Sequence, residues 1–264
     1  MQLSWIVWLI MQMLKSFKLL CILLCFSFQT AQATNSISLV ISDEIDVSIA
    51  IYSATNNRNK ILLWLACNEG SEGTETRSAT QLNKRGIDVW LPDFLTAHFL
   101  PQGPSSIYKI PGTEIAAVIN EIVKQRPAAD IYLVAAGRAN APLLRGAVEW
   151  EKNPDNKALK GMLMLYPRLN LLDPVPGNEP VYIEAVGKTR LPIIILEGAR
   201  TPNRWGLPHL KKALEKNGSS VSFSILPKVR GYFYTRPKKT KAEEALSKKV
   251  HELILNNLSK LDAQ

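Results

Sequence analysis

Three short stretches of this chain are apolar without a break: Ile61 to Ala66 (I-L-L-W-L-A), Ile131 to Val134 (I-Y-L-V) and Leu191 to Leu196 (L-P-I-I-I-L). Each is long enough for a buried strand and too short for a buried helix. A strand that does not alternate has both faces covered, which is the condition of a parallel sheet enclosed by helices. Helical patterns lie between the runs. Thr113 to Gln125 places Ile115, Val118, Ile119 and Ile122 on one face, with Thr113 as the expected N-cap. A short helix carries Ala79 and Leu82 to a stop at Gly86, and Leu207 to Asn217 stops at Gly218. Lys241 to Leu261 reads as one long amphipathic helix. Ile37 to Ile41 and Val47 to Ala54 alternate, and are expected to form an antiparallel edge pair. Further strands are expected at Ile87 to Asp93, Leu159 to Tyr166 and Val221 to Leu226, with a small one at Val181 to Ala185. The pattern specifies an α/β three-layer sandwich: a mostly parallel twisted sheet of about eight strands, the first two antiparallel, with helices on both faces.

The first thirty-odd residues are set apart from that pattern. Lys15 and Lys18 precede an apolar core, Leu19 to Phe28, and Ala31-Gln32-Ala33 has the small-x-small form of a cleavage site. The expectation is a signal peptide over 1–33, an exported (periplasmic or secreted) chain, and a single domain over 34–264. An uncleaved N-terminal anchor is the alternative, and the apolar Met1 to Leu14 leaves Met13 open as the true initiator. Cleavage would leave Cys67 as the one remaining cysteine, so no intrachain disulfide is expected. The net charge of +9 is moderate, with a cluster at Arg230, Arg236, Lys238, Lys239 and Lys241. It reads as a solvated loop and helix start; contact with a membrane surface through Arg236, Lys238 and Lys239 is the sharper alternative. Nucleic acid is excluded as a partner for want of interleaved aromatic platforms. No metal-ligand spacing, phosphate-binding glycine loop or dinucleotide fingerprint occurs, so no metal and no cofactor is expected.

The Ile131 run leads at once into small residues (Ala135, Ala136, Gly137, Ala139, Ala141) and then into a helical pattern at Leu143 and Leu144. Strand, sharp turn and helix are the setting of a nucleophile elbow, G-x-S-x-G. On that template Ala135-Ala136-Gly137-Arg138-Ala139 keeps the small outer residues and puts Gly137 where the attacking hydroxyl belongs.

Four segments in order resemble the α/β-hydrolase superfamily over about Ile37 to Leu261: R-G-I-D-V-W-L-P-D-F, I-Y-L-V-A-A-G-R-A, L-P-I-I-I-L-E-G-A-R-T and G-S-S-V-S-F-S-I-L-P-K-V-R-G-Y-F. The resemblance implies a nucleophile, a histidine and a carboxylate at Gly137, at Arg230 and around Thr201. Gly137 has nothing to attack with, Arg230 stays protonated and is no general base, and Arg200-Thr201-Pro202 holds no acid. Glu197 falls within the strand end, and Asp173 after the preceding strand is the nearest substitute acid.

With all three positions changed, the sequence reading leans away from an enzyme, towards a hydrolase-like protein that has lost catalysis. It would work by binding a small anionic ligand or an envelope protein partner. Asn68 (in the loop of the oxyanion hole), Asp93, Arg138 and Arg230 are the candidate ligand-binding residues. One alternative is an active esterase or hydrolase with a relocated nucleophile, Ser78, Ser105 or Ser106, and with His98 as base; His209 and His251 read as surface residues. The other is an assembly or scaffold factor that uses the Pro167 to Arg190 loop and the basic cluster.

Overall fold

The computed structural model describes residues 35–56, 59–66, 73–173, 175 and 177–263. The chain divides into two compact units, Met1–Ala33 and Thr34–Gln264, and the described residues fall in the second. The expected signal peptide, Cys67 and Asn68 therefore lie outside the described residues.

Strands β1 (Asn35–Ser42), β2 (Ile45–Tyr52) and β3 (Lys60–Leu65) come first, followed by helix α1 (Thr74–Asn83) and strand β4 (Ile87–Pro92). Two one-turn helices, α2 (Phe94–Ala97) and α3 (Pro104–Ile107), precede α4 (Gly112–Gln125) and β5 (Asp130–Ala136). After α5 (Asn140–Trp150) come β6 (Leu159–Leu165), β7 (Ile193–Gly198), α6 (Leu207–Leu214) and β8 (Val221–Leu226). Helices α7 (Lys241–Ser247) and α8 (Val250–Leu261) close the domain. The eight strands form one sheet in the order β1-β2-β4-β3-β5-β6-β7-β8. Strand β2 runs antiparallel to both β1 and β4, and every other pairing is parallel.

The unbroken apolar runs are explained by two cores, one on each side of the sheet. Ile61, Leu63 and Leu65 of β3 and Ile131, Leu133 and Ala135 of β5 face a layer that holds α4, α5 and α6. Leu62 and Trp64, with Tyr132, Val134 and Ala136, face the layer of α1 and α8. Burial of each large side chain contributes about 2 kcal/mol, so a one-residue slip of β3 or β5 would gain nothing on either face.

Three local expectations are corrected. The N-cap of α4 is Pro111, and Thr113 sits inside the first turn. Gly112 is drawn against α5, where a Cβ would lie 2.7 Å from the backbone carbon of Arg145. Lys241 to Leu261 breaks into two helices: Ser247 turns its hydroxyl inward onto Glu243 O (2.6 Å), a back-bond that bends helices, and Lys249 leaves the helical region at φ −113°. The small strand at Val181 to Ala185 reduces to a single bridge, Asn170 to Tyr182. The loop after Asp93 is ordered by α2, whose cap is the Asp93 side chain.

Candidate functional site

Strand β5 delivers the turn that the sequence anticipates. Ala136 is extended, Gly137 takes φ 55°, and a 3-10 turn over Gly137–Ala139 runs directly into α5. A residue with a Cβ is strained at that angle and glycine is not. The Gly137 carbonyl accepts from Arg168 N (3.1 Å) and from Asn140 Nδ2 (3.0 Å), which ties the turn to the segment after β6.

Strand β7 ends in Glu197 and Gly198, both buried. Glu197 Oε1 accepts the Gly198 amide at 2.8 Å, while Oε2 has no partner within hydrogen-bond distance. Burial pushes the Glu197 carboxyl up to about 7; the Gly198 amide, the Arg168 charge and the nearby Asn203 amide pull the other way without cancelling it. Arg168 is fixed beside it, donating through Nη1 to Asn203 Oδ1 (2.8 Å) and through Nε to Tyr232 Oη (3.1 Å). These groups border a cavity of about 360 Å³, lined by Arg168, Glu197, Asn203, Leu207 and Leu210 among others. It opens beyond the C-terminal ends of β6 and β7, the edge where ligands bind in sheets of this kind.

The backbone around Glu197 is strained and tightly fitted. Tyr166 (φ 37°) and Tyr232 (φ 60°) are non-glycine residues with positive φ, and their rings meet at 4.9 Å. Each such residue costs on the order of 1–3 kcal/mol and persists only where its surroundings hold it. A Cβ on Gly198 would lie 2.4 Å from the backbone carbon of Arg230, and one on Gly231 would lie 3.2 Å from Glu197 Oε1. The loop after β8 is therefore pressed down over the end of β7, with glycine at both contacts.

The residues singled out by the sequence are not brought together. Arg230 is taken up by Glu243, to which it donates through N, Nε and Nη2 (2.6 Å to Oε2), so it does not line the cavity. Those bonds from Arg230 push the buried Glu243 carboxyl down to about 2. Asp93 spends both oxygens on Thr96, accepting from its N (3.0 Å) and Oγ1 (2.6 Å), and is a turn former. Arg138 is half-buried in the turn after Gly137, and Thr201 precedes the Pro202–Gly206 turn. Arg236 Nε donates to Gly231 O (2.9 Å), and Lys238 O accepts from Arg230 Nη2 (3.1 Å). Ser78 is buried within α1, and His209 meets Tyr182 Oη at 3.0 Å on the surface.

His98, the base expected for a relocated nucleophile, is paired with an acid. His98 Nε2 lies 2.6 Å from Glu114 Oε2. Helix α3, which carries the exposed Ser105 and the buried Ser106, packs on the Gly137–Ala139 turn. Among the described residues no cluster of His, Cys, Asp and Glu could hold a metal ion. No described helix is long and apolar enough to cross a membrane.

The sequence reading missed Arg168, Asn203 and the role of Glu197. The signal available was a carboxylate closing a buried run, P-I-I-I-L-E, where nothing but a functional or paired acid is expected.

No family model and no curated protein matches this chain. Solved structures do. The Thermogutta terrifontis esterase 2 phosphorylated by paraoxon superposes with a TM-score of 0.59 at 14% identity, over 85% of this chain and 94% of that one. A highly thermostable carboxyl esterase from Bacillus coagulans gives 0.61 at 11% identity, over 87% and 99%. A protein described as a dienelactone hydrolase from Klebsiella pneumoniae gives 0.59 at 13% identity, over 81% and 95%. The fold is that of the α/β-hydrolases. The expectation of an α/β-hydrolase scaffold stripped of catalysis and retained for binding is corrected by these likenesses: the matching structures are esterases and a hydrolase, and they accord better with the alternative of an active hydrolase.

Proposed function

We propose that this chain is a hydrolase of ester or related acyl bonds, with Glu197 as general base and water as the nucleophile. One observation carries the reading: a buried carboxyl pushed up to about 7, in the wall of a cavity at the C-terminal edge of the sheet. A base with a pKa near the working pH is suited to proton transfer. Above pH 7 the carboxylate takes a proton from a water molecule, and the hydroxide formed attacks the acyl carbon. The tetrahedral oxyanion then develops next to the Arg168 guanidinium, already fixed by Asn203 and Tyr232 and so needing no reorganisation. Collapse breaks the C–O bond, and the Glu197 carboxylic acid returns its proton to the departing alkoxide.

The test is hydrolysis of p-nitrophenyl butyrate by the purified protein. Turnover should rise with pH through about 7 and fall roughly 100-fold in Glu197→Gln. Turnover equal in the two proteins, or absent from both, sinks the reading.

A second reading is favoured by the 2.6 Å contact of His98 with Glu114. That acid-supported imidazole, with Ser105 or Ser106 on the helix that packs on the elbow, would be a relocated serine site. Labelling by a fluorophosphonate probe that is lost in Ser105→Ala or Ser106→Ala and in His98→Ala supports it, and absence of labelling removes it.

We also infer export, with cleavage after Ala33, from Lys15, Lys18, the Leu19 to Phe28 core and the Ala31-Gln32-Ala33 site. N-terminal sequencing of the mature protein should begin at Thr34; a start at Met1 or Met13 contradicts it.

A further inference from the structure

The two loops that wall the Glu197 cavity also carry a concentration of exposed apolar side chains. Among the described residues nine large apolar side chains are exposed. Five of them, Leu171, Leu172, Val175, Val181 and Trp205, lie in the segment after β6 or in the Pro202–Gly206 turn. Their exposure runs from 53% at Val181 to 74% at Trp205. Pro167, Leu169, Asn170, Pro180 and Tyr182 from the first segment, and Pro202, Asn203 and Gly206 from the second, line the cavity itself.

The rim is built and is not merely a loose strand end. Leu171 N donates to Val181 O (2.8 Å) and Ile183 N to Leu169 O (2.9 Å), so the two arms of the segment are laddered around the Asn170 to Tyr182 bridge. Leu171 and Val181 are thus presented side by side, while Leu169 and Ile183 one step inward are buried in the core. On the other lip, the Arg204 guanidinium lies 4.3 Å from the centre of the Trp205 ring, and Arg204 Nη1 is held by Ala199 O at 2.7 Å. An exposed tryptophan with a cation stacked on it suits a boundary that is apolar below and polar above. Leu169, Leu207 and Leu210 give the cavity apolar walls, and Arg168, Glu197 and Asn203 give it polar ones.

We propose that this rim is a lipid-contacting surface, and that the substrate is an acyl ester presented from a lipid aggregate. Its hydrocarbon chain would lie along the apolar wall, with the ester group at Glu197. Exposed side chains of this size, clustered at a cavity mouth, mark an interaction site; scattered singly they would not. Leu171 and Val181 are paired on one lip and Trp205, with the Arg204 cation on its ring, stands on the other, an apolar rim with a polar edge that suits the boundary of a lipid aggregate. The substrate half of this proposal rests on the hydrolase reading above; the surface half does not.

The test uses the purified protein, vesicles of pure phosphatidylcholine, and a variant with Leu171→Ser, Leu172→Ser and Trp205→Ser, all three exposed and outside the core. The parent should cosediment with these neutral vesicles and continue to do so at about 0.5 M NaCl, since apolar insertion is not screened. The variant should lose at least about tenfold in vesicle binding, as three large apolar groups are replaced by polar ones. Turnover of p-nitrophenyl decanoate in mixed micelles should fall with it, while turnover of dissolved p-nitrophenyl acetate changes less than about twofold. No cosedimentation of the parent overturns the proposal, as does binding that survives the triple substitution or that requires anionic lipid and vanishes in salt. If vesicle binding is lost in the variant but the parent cleaves neither ester, the hydrolase reading fails and the lipid surface stands.

Discussion

Arg230 Nη2 lies 2.6 Å from Glu243 Oε2, and the same carboxylate accepts from the Arg230 backbone and, at the head of α7, from Thr240 N (2.8 Å). A residue read from the sequence as a candidate ligand-binding group is instead the clamp that fastens the loop after β8 to the last pair of helices. Glu243 is fully buried, Arg230 only partly so, and Thr240 and Glu243 form a capping box. Replacing Glu243 by Ala should therefore destabilise the protein by about 2 kcal/mol, the sum of a lost cap and a broken ion pair with one partner able to rehydrate. Urea unfolding measures it, and a loss under 0.5 kcal/mol would show that the clamp carries little.

The Glu197 carboxyl makes an opposite prediction about pH. Its folded value is raised to about 7, above the usual carboxylate range, so the folded state holds a proton that the unfolded chain has already released. The stability it contributes is present at low pH and is lost as pH rises from about 4.5 through 7, a change of about 3 kcal/mol at most. Glu197→Gln should flatten that slope and leave the variant the more stable of the two at pH 8. Thermal unfolding at pH 5 and pH 8 decides it; parallel slopes for the two proteins would contradict the burial argument.

Gly198 is held beneath the Arg230 backbone, and no flexible side chain is there to give way. Gly198→Ala should cost 3 kcal/mol or more and lift the loop from the end of β7, with turnover falling alongside stability. If Gly198→Ala unfolds at the parent's urea concentration, the two segments are not in the contact described.

Gly137 offers a milder case. Its φ of 55° disfavours any residue with a Cβ, so Gly137→Ala should cost about 1 kcal/mol from backbone conformation. Gly137→Ser should cost about the same without creating a serine nucleophile, because neither Arg230 nor any other group mapped to the triad can take its proton. Strong fluorophosphonate labelling acquired by Gly137→Ser would show that a base stands within reach of the turn.

The layered sheet, the reversed second strand and the turn at Gly137 were legible in the chain itself. Apolar runs without alternation leave a strand no solvent face, and a string of small residues between strand and helix leaves little but a tight turn. The site was not legible in the same way. Whether Arg230 looks into the cavity or out to Glu243 is decided by which way the chain leaves β8, and Glu243 is thirteen residues further on. His98 finds Glu114 across a whole connection, and Glu197 acquires its raised pKa only because the packed chain buries it, with Gly231 of the loop after β8 set against it. Periodicity records which residues are buried, and this the sequence carries along its length. The direction of a charged side chain, and the dielectric around it, belong to partners distant in the chain, and those are fixed only when the layers have packed.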